Sequence, residues 1–597
     1  MACRGVPQGR TSPESTRGVP ALEGVFWEGG FRCLLGFRRS GINGAMFPRV
    51  HFGRSLVWFG WVLVLVGLCP QGWLRAGSFE PLAGFRPESD EVARLGRVLS
   101  LMASAGPTNR PVVRVVFYGQ SITIYPWWLE VSQRLREAYP HVQFEIHNLA
   151  ISGFQAVRLA YTCEHDVIPL QPDLIILHAY GFEPDFHRLL TRLRQRTTAD
   201  VLVQRDHPLT DAELGEVTDP AKLATADPST WEYKNYVWLP RVVDATGCAL
   251  ADVRGYWKEY CRVRGRKARD LLADPTHPNE EGNHVLAASV LAYLLPEAGA
   301  VGTVDPWNSE KVREVRIQRE ATRPLQRLTL EFTGSRVDAI ADGDGALPVD
   351  VWVDGRKPSA ISEIRFFGRT TAVPGRPWPA LTTVESLASR VPELWTLRVL
   401  RMTPGNQYAE FELHGSETGF DGAGSSRSNF VSNSGRVVIT PGSWNLGLAL
   451  NLQGIGLPAD YRIEWRCAWT GMDAFVPRAP REPGLEHSVT LVAGLPDGVH
   501  RLELEGESLD ALGALRVFRP AGAVQAVVVE RVTRRTEARV GWKFRGSEWQ
   551  FRKEGEWPAG AGMETSTNLL EWKAWTPDAA AAGWPVAEEP VRYFRIR

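Results

Sequence analysis

The chain has 597 residues, enough for several domains. Its 68 Lys and Arg balance 68 Asp and Glu, so net charge gives no argument for a nucleic-acid partner. Hydrophobic residues at 44% and charged residues at 23% exclude a disordered chain, and 22 Trp, 56 Gly and 41 Pro suit β-rich modules with many turns.

Residues 1–45 scatter Gly, Arg, Ser and Pro without hydrophobic periodicity. They are expected to be an extension outside any packed domain, ahead of a better start at Met46. From there Arg49, His51 and Arg54 precede the apolar run from Leu56 to Leu68. About thirteen residues is too short to span a bilayer and fits a signal peptide over 46–76, with cleavage near Ala76. The expected location is therefore secreted, periplasmic or cell-surface, with no stable membrane span after cleavage. A lipid anchor on Cys69 would want a small residue where Leu68 stands.

Residues 77–302 alternate strand and helix patterns, which predicts a parallel sheet with covering helices. A helix is expected from Glu88 to Ala105. The run Val112-Val113-Arg114-Val115-Val116-Phe117-Tyr118 then reads as a buried strand that stops at Gly119. Ser121 follows the strand end, where an open α/β sheet collects its chemistry. It is either a positioned nucleophile or the cap of the helix that follows. That helix, about Trp127 to Tyr139, puts Trp128, Leu129, Val131, Leu135 and Ala138 on its apolar side. Further strands are predicted at 144–148, 174–177, 199–204 and 249–253, with helices at 156–161, 189–196 and 231–246. A polar loop over 208–228 should lie above the sheet's catalytic edge. Late in this region comes Asp274-Pro275-Thr276-His277-Pro278, just before an apolar helix over 285–295. A serine nucleophile needs an imidazole to take its proton, and the imidazole needs a carboxylate to fix its tautomer. One Asp-x-x-His turn can supply both.

Gly119-Gln120-Ser121 and Asp274-Pro275-Thr276-His277-Pro278 resemble the first and last blocks of the SGNH (GDSL-like) hydrolases. The resemblance covers about two hundred and twenty residues. It implies a flavodoxin-like α/β fold and esterase chemistry, with Ser121 as nucleophile, His277 as general base and Asp274 orienting the imidazole. It also implies an oxyanion hole from the backbone N–H groups of Ser121 and of Gly153, which closes the strand-turn Phe144–Gly153. Two positions depart from the family pattern. Gln120 stands where Asp is usual. After Leu174-Ile175-Ile176-Leu177 the chain reads His178-Ala179-Tyr180-Gly181, so Tyr180 falls where the family carries an oxyanion-binding Asn. Tyr180 or His178 could donate instead. Losing one such donor costs about 2.7–4 kcal/mol of transition-state stabilisation, so a binding protein that keeps the fold without efficient turnover is the rival reading.

Trp127, Trp128 and His178 are candidate substrate contacts, with core packing the alternative for the tryptophans. Asp206 and His207 follow a strand end and either meet substrate or form a solvated loop pair. No His, Cys or carboxylate group has metal-ligand spacing, and no cofactor is called for. The four cysteines after Cys69 are Cys163, Cys248, Cys261 and Cys467. Cys248 with Cys261 is the expected pair if a disulfide forms, and free buried thiols are the alternative.

From 303 to 525 the pattern shifts to short alternating strands separated by Asp-Gly and Pro-Gly turns, which predicts one enlarged or two stacked β-sandwiches of jelly-roll type. Residues 526–597 read as a small C-terminal all-β module. Taken together, a secreted serine esterase is expected. An acylated polysaccharide, most simply one carrying O-acetyl groups, is the expected substrate by family analogy. A lipid or aryl esterase with an apolar groove at Trp127-Trp128 is a further alternative.

Overall fold

The structure is a computed structural model. It describes residues 82–296 apart from 83, 304–319, 325–520 apart from 459, and the backbone of six short strands between Arg539 and Ile596. The extension called over 1–45 and the signal peptide called over 46–76 lie outside the described residues. Among the described residues no helix is long and apolar enough to cross a membrane.

Five parallel strands form the first sheet: β1 Val112–Gly119, β2 Gln143–Asn148, β3 Leu174–His178, β4 Asp200–Gln204 and β5 Ala249–Ala251. Their order is β2-β1-β3-β4-β5, the flavodoxin-like order that the resemblance implies. Alternate side chains feed two cores. Val113, Val115 and Phe117 of β1 enter one, with Trp127, Trp257, Val285 and Leu286 from the helices Trp127–Ala138, Val253–Arg264 and Glu280–Leu294. Val116 and Tyr118 enter the other, with Leu159, Leu189 and Val242 from the helices Ala156–Asp166, Glu183–Arg196 and Leu239–Ala245. Strands buried on both faces read as continuous apolar runs for this reason. The strand order reverses between β1 and β3, so the crevice beyond their carboxyl ends is where this fold places a ligand.

Local departures have physical causes. The helix expected over Glu88–Ala105 is two pieces, Ser89–Ala93 and Gly96–Ala103, parted at Leu95, whose backbone is non-helical. On the helix Trp127–Ala138 the buried face runs through Trp127, Val131 and Leu135 at four-residue spacing. Leu129, expected inside, is 52% exposed. The helix from Trp231 is continuous to Ala245 but contains a π-helical turn at Lys234–Trp238. Cys248 and Cys261 are not bonded: the four cysteines among the described residues are all free and buried. Cys248 belongs to the core on one face of the sheet and Cys261 to the core on the other, so the sheet itself separates them.

Beyond residue 304 the strands are antiparallel. A nine-stranded sheet runs from Gly419–Ser425 at one edge to Val312–Arg316 at the other. A four-stranded sheet, with Val349–Val353 and Val499–Glu505 at its centre, faces part of it across a shared core of Val337, Val351, Leu491, Leu502 and Leu515. A second core of Trp395, Leu397, Phe411 and Trp465 lies against the rest of the long sheet. The same core takes in Val437, Ile439 of the short strand Val438–Ile439, and Trp444. The choice between one enlarged and two stacked sandwiches thus resolves into one continuous sheet with two separate cores. Six further strands, Arg539–Arg545 to Tyr593–Ile596, form two three-stranded antiparallel sheets.

The carboxyl ends of β3 and β4 rest on buried charge. Lys234, at the π-helical turn, places its ammonium 2.8 Å from Asp206 Oδ2 and donates to Ala179 O at 3.1 Å. The rings of Tyr180, Phe186, Trp231 and Trp238 surround it at 5.2–5.9 Å. Burial pushes the Asp206 carboxyl up, but Lys234 and His178 outweigh it and hold Asp206 well below the usual carboxylate range. His207 is also buried. Its Nε2 donates to Thr276 O at 3.0 Å, and burial pulls its imidazole down to about 3. Both side chains were expected at a solvated or substrate-facing loop; at 2% and 1% exposure they are structural instead.

Two outcomes follow. Lys234→Met should destabilise the protein by about 3–5 kcal/mol in urea unfolding, because Asp206 is left as an uncompensated buried charge. Lys234→Met with Asp206→Asn should cost less than the sum of the single changes. His207 is neutral when folded, whereas an unfolded imidazole takes a proton below about pH 6.5. Stability is therefore level above that pH and falls below it by up to about 1.4 kcal/mol per pH unit until the folded value is reached. Comparison of urea unfolding at pH 7 and pH 5 should show a smaller loss in His207→Gln than in the parent.

Candidate active site

The crevice at the β1–β3 switch point is built from three loops. The first follows β1. A Cβ at Gly119 would lie 2.1 Å from His178 O, so only glycine lets the ends of β1 and β3 close on each other. The chain then turns through Gln120 into the single helical turn Ser121–Ile124. Asn148, at the end of β2, ties the turns together by donating to Thr123 O at 2.7 Å and accepting from Ala150 N at 3.1 Å.

The second loop is the Asp-x-x-His segment. Asp274 Oδ1 accepts from the amides of Thr276 and His277, both at 2.8 Å, and Asp274 Oδ2 lies 2.7 Å from His277 Nδ1. Burial tends to raise the Asp274 carboxyl, but these donors together hold it below its ordinary value. His277 O accepts from Ala273 N at 2.8 Å, and Asn279 caps the following helix through Gly282 N at 2.9 Å. Two further contacts hold the loop: His207 bonds Thr276 O from below, and the Tyr125 ring stacks on the His277 imidazole at 5.0 Å and 9°. Across 156 residues of chain, His277 Nε2 then comes 2.9 Å from Ser121 Oγ. A hydroxyl, an imidazole and a carboxylate therefore stand in one hydrogen-bonded line. With Nδ1–H held by Asp274, Nε2 is the free acceptor for the serine proton.

The third loop, Ile151–Phe154, carries Gly153 in the left-handed region at φ 74°. Gly153 is exposed. Its N–H donates to no acceptor among the described residues.

Gln120 is 3% exposed and contacts the serine directly: Ser121 Oγ donates to its Oε1 at 2.7 Å. On its other side Gln120 Nε2 is 3.4 Å from His178 Nδ1, and His178 Nε2 is 3.2 Å from Asp206 Oδ1. The serine hydroxyl thus has one proton and two acceptors, Gln120 Oε1 and His277 Nε2. A polar chain leads from it down to the buried Lys234.

Ser121, His277 and Asp274 are brought into one hydrogen-bonded line, and the turn that carries Gly153 is tied to the end of β1 by Ile151 N donating to Gly119 O at 2.9 Å. The remaining candidates are not placed as expected. Trp127 is 1% exposed, with Nε1 donating to Ile122 O at 2.8 Å, and so is core rather than a substrate platform. Trp128 is half-buried, its ring packed against Phe117. His178 is 2% exposed and lies beneath the site, behind Gln120. The Tyr180 hydroxyl is enclosed and without a hydrogen-bond partner among the described residues. What Tyr180 offers is a ring, packed edge-on to Trp231 at 5.4 Å. Trp231 is 40% exposed, and Phe182, two residues after Tyr180, is 70% exposed. Tyr125 escaped the sequence reading because stacking on His277 has no signature in spacing. Gln120 was visible as a departure from pattern but not as a contact to serine.

No protein-family model matches the chain, and no curated protein matches it. Among solved structures the chain is similar to an acetylxylan esterase from Geobacillus stearothermophilus, with 16% identity over 33% of this chain and 100% of that one, at a TM-score of 0.26. It is also similar to an α/β hydrolase from the metagenome of Lake Arreo, Spain, with 18% identity over 32% of this chain and 98% of that one, at a TM-score of 0.26. A two-domain esterase active on acetylated mannans aligns with 12% identity over 72% of this chain and 96% of that one, at a TM-score of 0.28.

Proposed function

We propose that this chain is a serine hydrolase of carboxylic esters, of the SGNH type, with Ser121, His277 and Asp274 as its triad. The observation that carries the reading is the unbroken line from Ser121 Oγ to His277 Nε2 at 2.9 Å and from His277 Nδ1 to Asp274 Oδ2 at 2.7 Å. Its position at the carboxyl edge of the parallel sheet supports it further. Ser121 Oγ attacks the ester carbonyl as its proton passes to His277 Nε2. Asp274 holds the imidazole in the required tautomer and stabilises the imidazolium. The N–H groups of Ser121 and Gly153 receive the developing oxyanion. His277 then returns the proton to the leaving alkoxide, and water repeats the sequence on the acyl-enzyme.

For substrate we infer short acyl groups, most simply O-acetyl, on a polysaccharide outside the cell. The solvent-facing rings of Trp231 and Phe182 beside Tyr180 suit the apolar faces of sugar rings. The buried Trp127 offers no ring to a long acyl chain. The similar esterases of acetylated xylan and mannan point the same way. The domain limits 77–302, 303–525 and 526–597 and the signal peptide belong to the same reading, with the β-rich parts as accessory modules of a secreted enzyme.

A second reading, a carbohydrate-binding protein without turnover, draws on one feature: Gln120 Oε1 competes with His277 for the serine proton. Hydrolysis of a short acyl ester separates the two. The full chain should turn over, Ser121→Ala should fall to background, and Asp274→Asn should lose about 10²–10⁴-fold in kcat. Polysaccharide retention with no turnover in any form would establish the binding reading instead. Acetate release from acetylated xylan or mannan should exceed release from long-chain esters.

A further inference from the structure

The loop that carries Gly153 is held from two sides, and the second side belongs to the β-rich region. Within the α/β part, Ile151 N donates to Gly119 O at 2.9 Å and Phe154 N to Ile151 O at 3.0 Å. From the other side comes a turn between residues 372 and 379, closed by an Ala372–Pro379 bridge and by Val373 N donating to Trp378 O at 3.2 Å. Trp378 at its base donates Nε1–H to Ser152 O at 2.8 Å. Leu448, also from the β-rich region, covers Gly153 so closely that a Cβ there would meet Leu448 Cδ1 at 3.1 Å. The Trp378 ring packs at the edges of both the α/β core and the β-rich core. The joint is fixed nearby, since Arg158 on the helix after the loop reaches Trp444 O at 3.5 Å and His165 Nε2 lies 3.3 Å from Thr382 O.

We propose that Trp378 is a positioning residue for catalysis: it fixes the oxyanion-binding N–H of Gly153 by holding the carbonyl of Ser152. The two groups belong to one planar trans peptide, so they point in opposite directions and turn together. A donor on Ser152 O therefore sets the direction of the Gly153 N–H. It also polarises the peptide and makes that N–H a stronger donor. The constraint matters because glycine takes either sign of φ readily, so the Ser152–Gly153 peptide can flip at little cost unless something holds it. Leu448 packs against Gly153 on the side a Cβ would take and so crowds the turn. The β-rich region is on this view part of the catalytic apparatus, and the inference rests on Ser121 and Gly153 acting as proposed above.

Three variants of the full chain test it, each assayed on a short acyl ester and for binding of phenylboronic acid, whose tetrahedral serine adduct places an oxygen in the oxyanion site. Trp378→Phe keeps an aromatic ring at the joint and removes the N–H donor together with the pyrrole half of the indole. It should lower kcat by about 10–100-fold, change KM by less than about threefold, and weaken boronate binding in step with kcat/KM. Leu448→Ala should move the same quantities in the same direction without touching the hydrogen bond. Ser121→Ala is the control. If it loses turnover while Trp378→Phe and Leu448→Ala keep parental kcat and boronate affinity, the positioning role is wrong and the triad stands. If Ser121→Ala keeps turnover, the catalytic reading itself is wrong. A Trp378→Phe chain with a lowered thermal midpoint but unchanged kcat would make Trp378 a purely structural contact and would also overturn the proposal.

Discussion

The contact on which the site depends is the hydrogen bond between Ser121 and His277, made by residues 156 positions apart. Neither partner reaches the other through local structure. Ser121 is delivered by β1, whose end is pressed against β3 so tightly that only Gly119 fits. His277 is delivered by a loop whose shape comes largely from Asp274, which bonds two amides and the imidazole at once. A carboxylate that folds its own loop and also orients its own histidine explains why this pair needs only three residues of spacing. His207 beneath and Tyr125 alongside supply what the loop cannot supply for itself.

Below this line lies a buried polar foundation that an apolar core would have made simpler. Isolated, the Asp206 carboxylate and the Lys234 ammonium would each cost several kcal/mol to bury. Here the carboxylate has Lys234 and Asn235 as donors, and the ammonium has a carbonyl and four aromatic faces. The arrangement keeps His178 oriented between Asp206 and Gln120, and Gln120 in turn sets the resting direction of the Ser121 hydroxyl. A neutral hydrogen bond contributes only about 0.5–1.5 kcal/mol net. The serine proton can therefore move from Gln120 to His277 cheaply. Gln120 shapes the ground state more than it blocks the chemistry.

The α/β and β-rich parts are joined at the working end of the molecule as well as along its flank. Trp378 and Leu448 meet the Ser152–Gly153 turn, while Lys311–Asp200, Arg369–Asp166 and Arg336 on Gln171 O tie the opposite side of the sheet to the same antiparallel region. Contacts spread over both ends of the strands restrict rocking of one part on the other. The turn at Ser152–Gly153 thus inherits its geometry from two cores at once.

Much of this was legible in the chain. The apolar runs of β1, β3 and β4 declared a sheet buried on both faces, because period-two burial on two sides leaves no polar positions. Gly119-Gln120-Ser121 and Asp274-x-x-His277 could be picked out because local backbone geometry, a strand end and a self-bonded turn, is written in a few adjacent residues. What the chain could not declare was which aromatic rings are inside, since Trp127 and Trp231 are equally apolar as letters and only the packing of the helix Trp127–Ala138 against β1 buries the first. Of the two readings left open for Cys248 and Cys261, free buried thiols hold and the pairing does not, because nearness along the chain says nothing of which face of a sheet each residue serves. Tyr125 on His277, the cage around Lys234 and the hold of Trp378 on Ser152 O are contacts between side chains set by tertiary distance. The sequence determined the strands, the turns and the reactive groups, which depend on neighbours within a few residues. The tertiary structure alone decided which groups face one another, because side-chain encounters across tens to hundreds of residues follow from how the elements pack.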